Sequence, residues 1–276
     1  MLINNKSAIL VLLLIPLLSF SQLKNDWQKM ELKGKVQKMR TFNCNLDSAV
    51  GYNESTATFY VDKHFVFNEN GYLTENYEYN QETNIAEFKE VIEYDSLNRK
   101  VKSTTRNLTI PDNSPNIIAY KYNDLNLLIE TLSEAGYKSS RTNFFYDENN
   151  NLVKTVLSSS QSKSEIFFKY NAFNQLIEEY MPDNYNITKK YDSLGRISTI
   201  KYEYLAEKSI DQVNYIYNEN NFEIENHISI TENGVTTTYL VKIEYQFDKM
   251  GNWIQRSKLI DNKIVELTKR SIVYFP

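Results

Sequence analysis

YDSLGRI, at residues 191–197, is the clearest copy of a pattern that recurs eight times between residues 65 and 256. In each copy an aromatic residue is followed by Asn or Asp, two variable residues, Gly or Asn, one variable residue and usually an aliphatic residue. Self-similarity of this kind describes the architecture of the whole repeated region, so it outranks any single residue as evidence. The copies are FNENGYL (67–73), YDSLNRK (94–100), YNDLNLL (122–128), YDENNNL (146–152), YNAFNQL (170–176), YDSLGRI (191–197), YNENNFE (217–223) and FDKMGNW (247–253).

The four central residues of each copy have the composition of a β-hairpin turn. A three-residue hairpin loop combines a type I turn with a residue in the left-handed region, and it favours Asn or Asp first and Gly fourth. Gly and Asn are also the residues that most readily take a positive φ. The sequence therefore predicts eight hairpins, with the left-handed residue at the fourth turn position. These residues are Gly71, Asn98, Asn126, Asn150, Asn174, Gly195, Asn221 and Gly251.

This turn also predicts which residues face each other across the hairpin. The aromatic before the turn should lie opposite the residue two places after the Gly or Asn, and such pairs contribute roughly 0.2–1 kcal/mol each. In two copies Lys100 and Glu223 replace the aliphatic residue, so we predict that these strands are bulged or lie at a sheet edge. The other predicted pairs are Phe67 with Leu73, Tyr122 with Leu128, Tyr146 with Leu152, Tyr170 with Leu176, Tyr191 with Ile197 and Phe247 with Trp253.

Strands are predicted to fill most of the chain. Residues 35–43 alternate as a first strand, residues 264–275 are predicted to be a closing pair of strands, and residues 26–33 form at most a short turn of helix. A meander of about 16 to 18 strands exceeds the ~10 that an open twisted sheet usually tolerates. The sheet must therefore coil, fold over on itself or close, and we predict an all-β fold, an antiparallel hairpin meander in a strongly twisted and coiled sheet whose partial closure is left open.

The first residues, 1–21, have the composition of a secretory signal peptide. Lys6 precedes an apolar run, and small residues precede a predicted cleavage between Ser21 and Gln22. The run is shorter than the ~20 apolar residues of a membrane span, which favours cleavage over a retained anchor. We predict a single repeat domain at 22–276, secreted or located in the periplasm or at the cell surface, with no membrane span after leader removal.

Composition narrows the classes of partner. The formal net charge is −4 and the sequence has no basic stripe, which argues against nucleic acid or an anionic membrane as partner. Cys44 is the only cysteine, so the chain has no internal disulfide. An exported protein of this kind must be held together by its sheet and its core.

No catalytic residue, cofactor or metal site is predicted, and the ligand-binding residues are unknown at this point. His64 and His227 have no spacing typical of a metal pair or of a nucleophile and its base. Cys44 has no reactive-site signature. Glu178 and Glu179 are adjacent, and adjacent strand residues point to opposite faces, so adjacency does not make an acid and base pair. We expect a protein that is not an enzyme.

At YDSLGRI (191–197) and FDKMGNWIQR (247–256) the chain resembles the tyrosine-aspartate (YD) repeats of the RHS superfamily. LKGKVQKM (32–39) resembles the entry strand of small secreted YD-repeat proteins of Bacteroidetes-type bacteria. The resemblance, over roughly residues 32–275, implies a hairpin-repeat sheet coiled into a superhelical wall. In large family members such a wall encloses a toxin domain or forms a surface shell. After residue 256 this chain leaves no room for a terminal toxin domain, so toxin encapsulation is not expected.

The aromatic content supplies the functional hypotheses. With 21 Tyr, 14 Phe and 2 Trp, the chain has enough rings to form a platform that stacks on sugars, although Tyr is also favoured in strands for packing. One hypothesis is an exported non-catalytic protein that binds a glycan or an envelope protein. The alternative is a structural or accessory shell protein, related to RHS systems, that holds or shields a client polypeptide. An aromatic outer face favours the first, and a concave channel lined by the repeat aromatics favours the second.

Overall fold

In a computed structural model of the chain, residues 24–45, 57–136 and 138–276 are described, so the predicted leader at 1–21 lies outside the described residues. The described residues form a short helix, α1 (Asp26–Lys29), and eighteen strands in one antiparallel sheet. No helix within these ranges has the length and apolar character needed to cross a membrane. The strands are β1 (Val36–Asn45), β2 (Thr58–Phe67), β3 (Leu73–Tyr79), β4 (Ala86–Tyr94), β5 (Lys100–Asn107), β6 (Asn116–Tyr122), β7 (Leu128–Ala135), β8 (Lys138–Tyr146), β9 (Leu152–Ser159), β10 (Lys163–Tyr170), β11 (Leu176–Met181), β12 (Tyr185–Tyr191), β13 (Ile197–Tyr204), β14 (Ser209–Tyr217), β15 (Glu223–Glu232), β16 (Val235–Phe247), β17 (Trp253–Ile260) and β18 (Lys263–Tyr274).

The sheet closes on itself into a β-barrel. Each strand pairs with its neighbours in the sequence, and β1 pairs with both β2 and β18. The closing register places Val36 opposite Tyr274 and Asn43 opposite Thr268. The predicted all-β antiparallel meander is confirmed, and closure pairs the edges that an open sheet of this size would leave free.

The prediction of two strands in residues 264–275 was wrong. This segment belongs to the single strand β18, which pairs with β17 on one side and with β1 on the other. The sequence of β18, KIVELTKRSIVY, contains none of the Gly, Pro, Asn or Asp residues that a turn would need. One long strand therefore completes the ring.

All eight turns have the predicted geometry. The fourth residue has a φ between 57° and 82°, and its amide donates to the carbonyl of the first residue at 3.0 to 3.1 Å. The side-chain oxygen of the first residue accepts hydrogen bonds from the third and fifth amides; Asp192, for example, accepts from Leu194 and Arg196, both at 2.9 Å. Asn or Asp is required first because its side chain satisfies two amides that the turn leaves without backbone partners.

The predicted register is also confirmed, with one correction. All six predicted cross-strand pairs are present, beginning with Phe67 opposite Leu73. Lys100 and Glu223 lie opposite the aromatic of their own copy in the same register; the bulge predicted for these two hairpins is present, but it is not particular to them. A register shift just before the turn aromatic occurs in every copy. The bulge therefore belongs to the turn, which fixes the register whatever the side chain that follows.

The repeat aromatics, and the residues two places before them, share one face of the sheet. The N-terminal segment identifies that face as the interior: Asp26 lies 3.2 Å from the hydroxyl of Tyr94 on β4, and Glu31, five residues later, lines a pocket with Tyr217 on β14. Going round the wall from β14 to β4 takes eight strand spacings, on the order of 40 Å. A segment this short connects the two points only across the concave side. The repeat aromatics therefore face inward.

The N-terminal segment joins the first turn of the barrel to the last. The amides of Asp26 and Trp27 donate to the carbonyl of Gly71 at 3.0 and 3.1 Å. At the other end of the segment, the side chain of Asn252 donates to the carbonyl of Lys33 and accepts from its amide, both at 2.8 Å. The segment thus ties the β2–β3 turn to the β16–β17 turn on either side of the β1–β18 closure.

The interior is packed unevenly. Beside α1, Val36, Met39 and Phe67 form a buried cluster with Trp27 packed against it. The indole N–H of Trp27 donates to the carbonyl of Val36 at 2.8 Å. In β6, β7 and β8, all of whose residues are described, none is buried. This buried cluster therefore lies where the N-terminal segment covers the wall, while Ile92, Val156, Val241, Ile243 and Leu267 are buried outside it.

Candidate binding surface on the barrel interior

Five repeat tyrosines tie neighbouring hairpins together on the interior face. The hydroxyl of Tyr122 donates to the carbonyl of Lys100 in the preceding copy at 2.9 Å. Burial raises the pKa of each of these hydroxyls, so they remain protonated and act as donors. The hydroxyls are thus committed to structure, although the ring faces still line the interior. The equivalent bonds join Tyr94 to Leu73, Tyr146 to Leu128, Tyr191 to Leu176 and Tyr217 to Ile197.

The fifth turn residue makes a second link between copies. Arg99 donates to Asp95 of its own turn at 2.8 Å and to Asn126 of the next turn at 2.7 Å, and its guanidinium lies 4.8 Å from the ring centroid of Tyr122. Arg196 makes the same three contacts in a later copy. Such cation–π contacts contribute roughly 0.5–1 kcal/mol at exposed sites. The sequence analysis missed this link, although Arg at the same turn position in two copies was a signal for it.

Aromatic residues on the outer face are partly covered by lysines. The Lys89 ammonium lies 5.1 Å from the ring centroid of Tyr77, which stacks on His64 with centroids 5.4 Å apart. On the other side of the barrel the Lys154 ammonium lies 5.1 Å from the ring of Phe167. Because cations already occupy these ring faces, the outer rings offer a poor platform for stacking on a sugar.

The residues weighed for catalysis lie on separate parts of the wall. His64 is on β2 and His227 on β15, five strands away, where it lies 2.7 Å from Glu225. Burial and the nearby Arg40 lower the pKa of His64. Cys44 is half-buried on β1, and burial raises the pKa of its thiol. In the described ranges no group of three His, Cys, Asp or Glu residues could hold a metal ion.

Glu178 and Glu179 lie on opposite faces, as the pleat requires. Glu178 forms an ion pair with Lys169 on the outer face at 2.8 Å. Glu179 faces inward and accepts a hydrogen bond from the hydroxyl of Tyr185 at 2.9 Å. Burial of the ring and, to a lesser degree, that bond raise the pKa of Tyr185 to about 12.

The interior wall between β17, β18, β1 and β2 contains a pocket of about 560 Å³ with charged and aromatic side chains. The guanidinium carbon of Arg270 lies 3.3 Å from the ring centroid of Trp253, and that of Arg256 lies 5.5 Å from it. Glu266 accepts from Arg256 and Lys258, both at 2.9 Å. Burial and the neighbouring Arg256 lower the pKa of Arg270 to about 10. A second pocket, of about 210 Å³, shares Trp253 and Arg270.

The sequence analysis singled out neither arginine. Trp253 was noted only as a cross-strand partner of Phe247, and Arg256 and Arg270 belong to different strands. The pocket they line is completed by β1 and β2, which reach it through closure of the barrel. No local pattern in the sequence signals that closure.

No protein-family model matches the chain, and no curated protein matches it in sequence. A structure of the Photorhabdus luminescens Tc holotoxin pore is similar, with a TM-score of 0.39 and 11% identity over 78% of this chain and 13% of that chain. This chain therefore spans about 13% of the length of the toxin chain. A porin-like protein from Bacteroides uniformis has a TM-score of 0.48 and 10% identity over 87% of this chain and 98% of that chain. At TM-scores below 0.5 these similarities carry no functional argument, and the resemblance to YD repeats stands on the repeat pattern.

Proposed function

We propose that this protein is an exported, non-catalytic shell protein that holds a client polypeptide segment on the inner wall of its barrel. The observation that carries the proposal is the inward orientation of the repeat aromatics. The interior of β6 to β8 presents Ile118, Tyr120 and Phe144, all half-buried. Side chains of this kind offer apolar contact area to a segment that lies against them.

The N-terminal segment supports a polypeptide as the occupant. It lies on the same wall and uses the same repeat aromatics, since the Trp27 ring lies 6.4 Å from the Phe67 ring and Asp26 contacts the Tyr94 hydroxyl. One part of the wall therefore already holds a stretch of polypeptide. The equivalent positions further round the ring have the same register and are less covered.

Adjacent phenylalanines on β8 allow a sharp test. Phe144 faces inward opposite Thr155, whereas Phe145 faces outward and is 47% exposed. A photo-crosslinking amino acid placed at one position or the other, in the native host, distinguishes the two faces. We expect protein adducts from position 144 and few from position 145. Adducts only from position 145, or from neither position, would contradict the proposal.

A glycan is the second candidate ligand, again on the interior. Tyr202 and Tyr204 on β13 have nearly parallel rings, 8° apart with centroids separated by 6.5 Å, and Tyr204 is 37% exposed. Rings in this arrangement can stack on successive sugars. Binding of the chain 22–276 to a panel of polysaccharides tests this candidate. Binding that is lost in Tyr204→Ala and kept in Phe145→Ala supports it, and no binding across the panel excludes those glycans.

Export is proposed on the composition of residues 1–21. Fractionation of the host, followed by N-terminal sequencing, is the direct test. A mature protein that begins at Gln22 outside the cytoplasm supports export, and a cytoplasmic protein that begins at Met1 contradicts it.

A further inference from the structure

We propose that the pocket lined by Trp253, Arg256 and Arg270 binds an oxyanion, carried as a carboxylate or as a phosphate ester. The proposal goes beyond the shell function and does not depend on it, since a small anion can bind here whether or not the wall holds a client. Both arginines line the 560 Å³ pocket on the inner wall. The chemistry that matches them is the planar pairing of guanidinium groups with carboxylate or phosphate oxygens.

Two buried arginine nitrogens at the pocket have no hydrogen-bond acceptor in the described part of the chain. The Nε atoms of Arg256 and Arg270 are buried and have no hydrogen-bond partner among the described residues. Arg256 is at least partnered through a terminal nitrogen by Glu266, at 2.9 Å. The side chain of Arg270 forms no hydrogen bond or ion pair within the described ranges, and its guanidinium lies over the Trp253 ring. A half-buried guanidinium whose buried Nε has no acceptor calls for a water, an ion or a ligand at that atom.

Other charged groups at the pocket do not neutralise Arg270. Glu266 is shared by Arg256 and Lys258, and the carboxylate of Glu223 accepts from Asn226 at 2.5 Å. Two further carboxylates line the two pockets, those of Glu31 after α1 and Asp62 on β2, and within the described part of the chain neither forms an ion pair with Arg270. The remaining charged group at the pocket is Lys63 on β2, which pairs with Glu78 at 3.5 Å.

The aromatic contact keeps the guanidinium in place. Arg270 lies over Trp253, which also contacts Arg256 and lies edge-on to Tyr245 with centroids 6.4 Å apart. An arginine held by an aromatic ring loses less conformational freedom when it binds an anion. The site is therefore organised before the ligand arrives, and Trp253 fluorescence should report its arrival.

Calorimetric titration of the chain 22–276 in low-chloride buffer provides the test. Inorganic phosphate and glucuronate separate the two sources of oxyanion, and glucose is the neutral control. We expect one or both anions to bind and glucose not to bind. Arg270→Gln should weaken binding at least tenfold. Arg141→Gln is the matched control, because Arg141 is an exposed arginine on the outer face of β8, paired with Glu130 at 3.5 Å.

The outcomes decide the proposal. Binding that is lost in Arg270→Gln and kept in Arg141→Gln supports it. If Arg270→Gln does not fold, Arg270→Lys keeps the charge but removes the planar fork, and weaker binding in that variant supports the proposal equally. Absence of anion binding by the wild-type chain overturns it. Equal binding by wild type and by a folded Arg270 variant also overturns it.

Discussion

The wall around β1, β2 and β18 and the wall from β6 to β8 are built from the same kind of strand, yet only the first is tightly packed. At the first, Val36 is 0% exposed, Met39 1% and Phe67 2%. At the second, the matching inward residues Tyr120 and Phe144 are only half-buried. The turns and the register are the same in both regions. What differs is the segment around α1, which packs apolar side chains against the first region, whereas beside the second region its Lys24 and Lys29 line a pocket with Tyr122 and Tyr146.

This difference separates two roles in the chain. The repeat builds the wall, because each turn sets its own register, five copies bind the preceding copy through their tyrosine, and Arg99 and Arg196 bind the following turn. The non-repeated N-terminal segment adds a packed cluster to one side of the wall, because its apolar side chains lie against Val36, Met39 and Phe67. Substitutions in the segment should therefore cost more stability than matched substitutions on the wall from β6 to β8, the open wall.

The largest difference is expected for Trp27→Ala. Removing a large ring from a packed cluster typically costs about 3–5 kcal/mol of unfolding free energy. Tyr120→Ala, on the open wall, should cost clearly less, because its ring is half-buried and its hydroxyl makes a single long contact of 3.4 Å with Ser103. Urea unfolding of both variants measures the difference. Equal losses would show that α1 is not the source of the core.

Two glycines at the same turn position give the next comparison. Gly71 and Gly195 have φ values of 82° and 78°, so alanine at either is expected to cost about 1 kcal/mol for the left-handed conformation alone. At Gly71 an added Cβ would lie 2.6 Å from the Trp27 ring, whereas at Gly195 it would lie 3.2 Å from the flexible end of Gln175. Gly71→Ala should therefore be the more destabilising. Thermal unfolding in which Gly195→Ala is the less stable of the two variants would contradict this prediction.

The contribution of Asp26, at the start of α1, to the unfolding free energy should depend on pH. Burial raises the pKa of this carboxyl, but the hydrogen bond from the Leu73 amide and the Lys29 ammonium outweigh burial and hold the pKa below its ordinary 3.8. A group with a lowered folded-state pKa stabilises the protein above its unfolded pKa, and this stabilisation is lost as pH falls through the folded pKa. The stability advantage of wild type over Asp26→Asn should shrink as pH falls below about 4.

Asp124→Asn is the control for that experiment, because Asp124 is an exposed turn residue on the open wall. Its effect on the unfolding free energy should be small at every pH. A gap between wild type and Asp26→Asn that stays constant from neutral to acid pH would contradict the role assigned to Asp26.

The smallest expected effect is on the tyrosine link between copies. Tyr122→Phe removes the hydrogen bond to the carbonyl of Lys100 and should cost about 1 kcal/mol. Tyr94→Phe should cost more, because its hydroxyl contacts both Leu73 and Asp26. Chemical unfolding of the two variants checks the ranking. A Tyr122→Phe variant as stable as wild type would show that this hydrogen bond does not stabilise the wall.

Local features of the fold were predictable from the sequence, and distant ones were not. Turn position, left-handed residue and cross-strand partner follow from seven consecutive residues, as in YDSLGRI. The pairing of Val36 with Tyr274 joins the two ends of the chain, and no short pattern encodes it. The pocket around the Trp253–Arg270 contact also depends on that pairing, because β1 and β2 complete its lining. For the same reason the sequence predicted many strands but left their closure open.

A designed disulfide across the closure tests the central claim most directly. In a Cys44→Ser background, Arg40→Cys with Ser271→Cys places two thiols on opposed residues of β1 and β18, where opposed Cα atoms are close enough for a disulfide. Glu93→Cys with Lys102→Cys, on β4 and β5, is the hairpin control. We expect both pairs to oxidise to similar extents in the folded protein. Oxidation of the hairpin pair while the 40–271 pair stays reduced would show that the sheet is open.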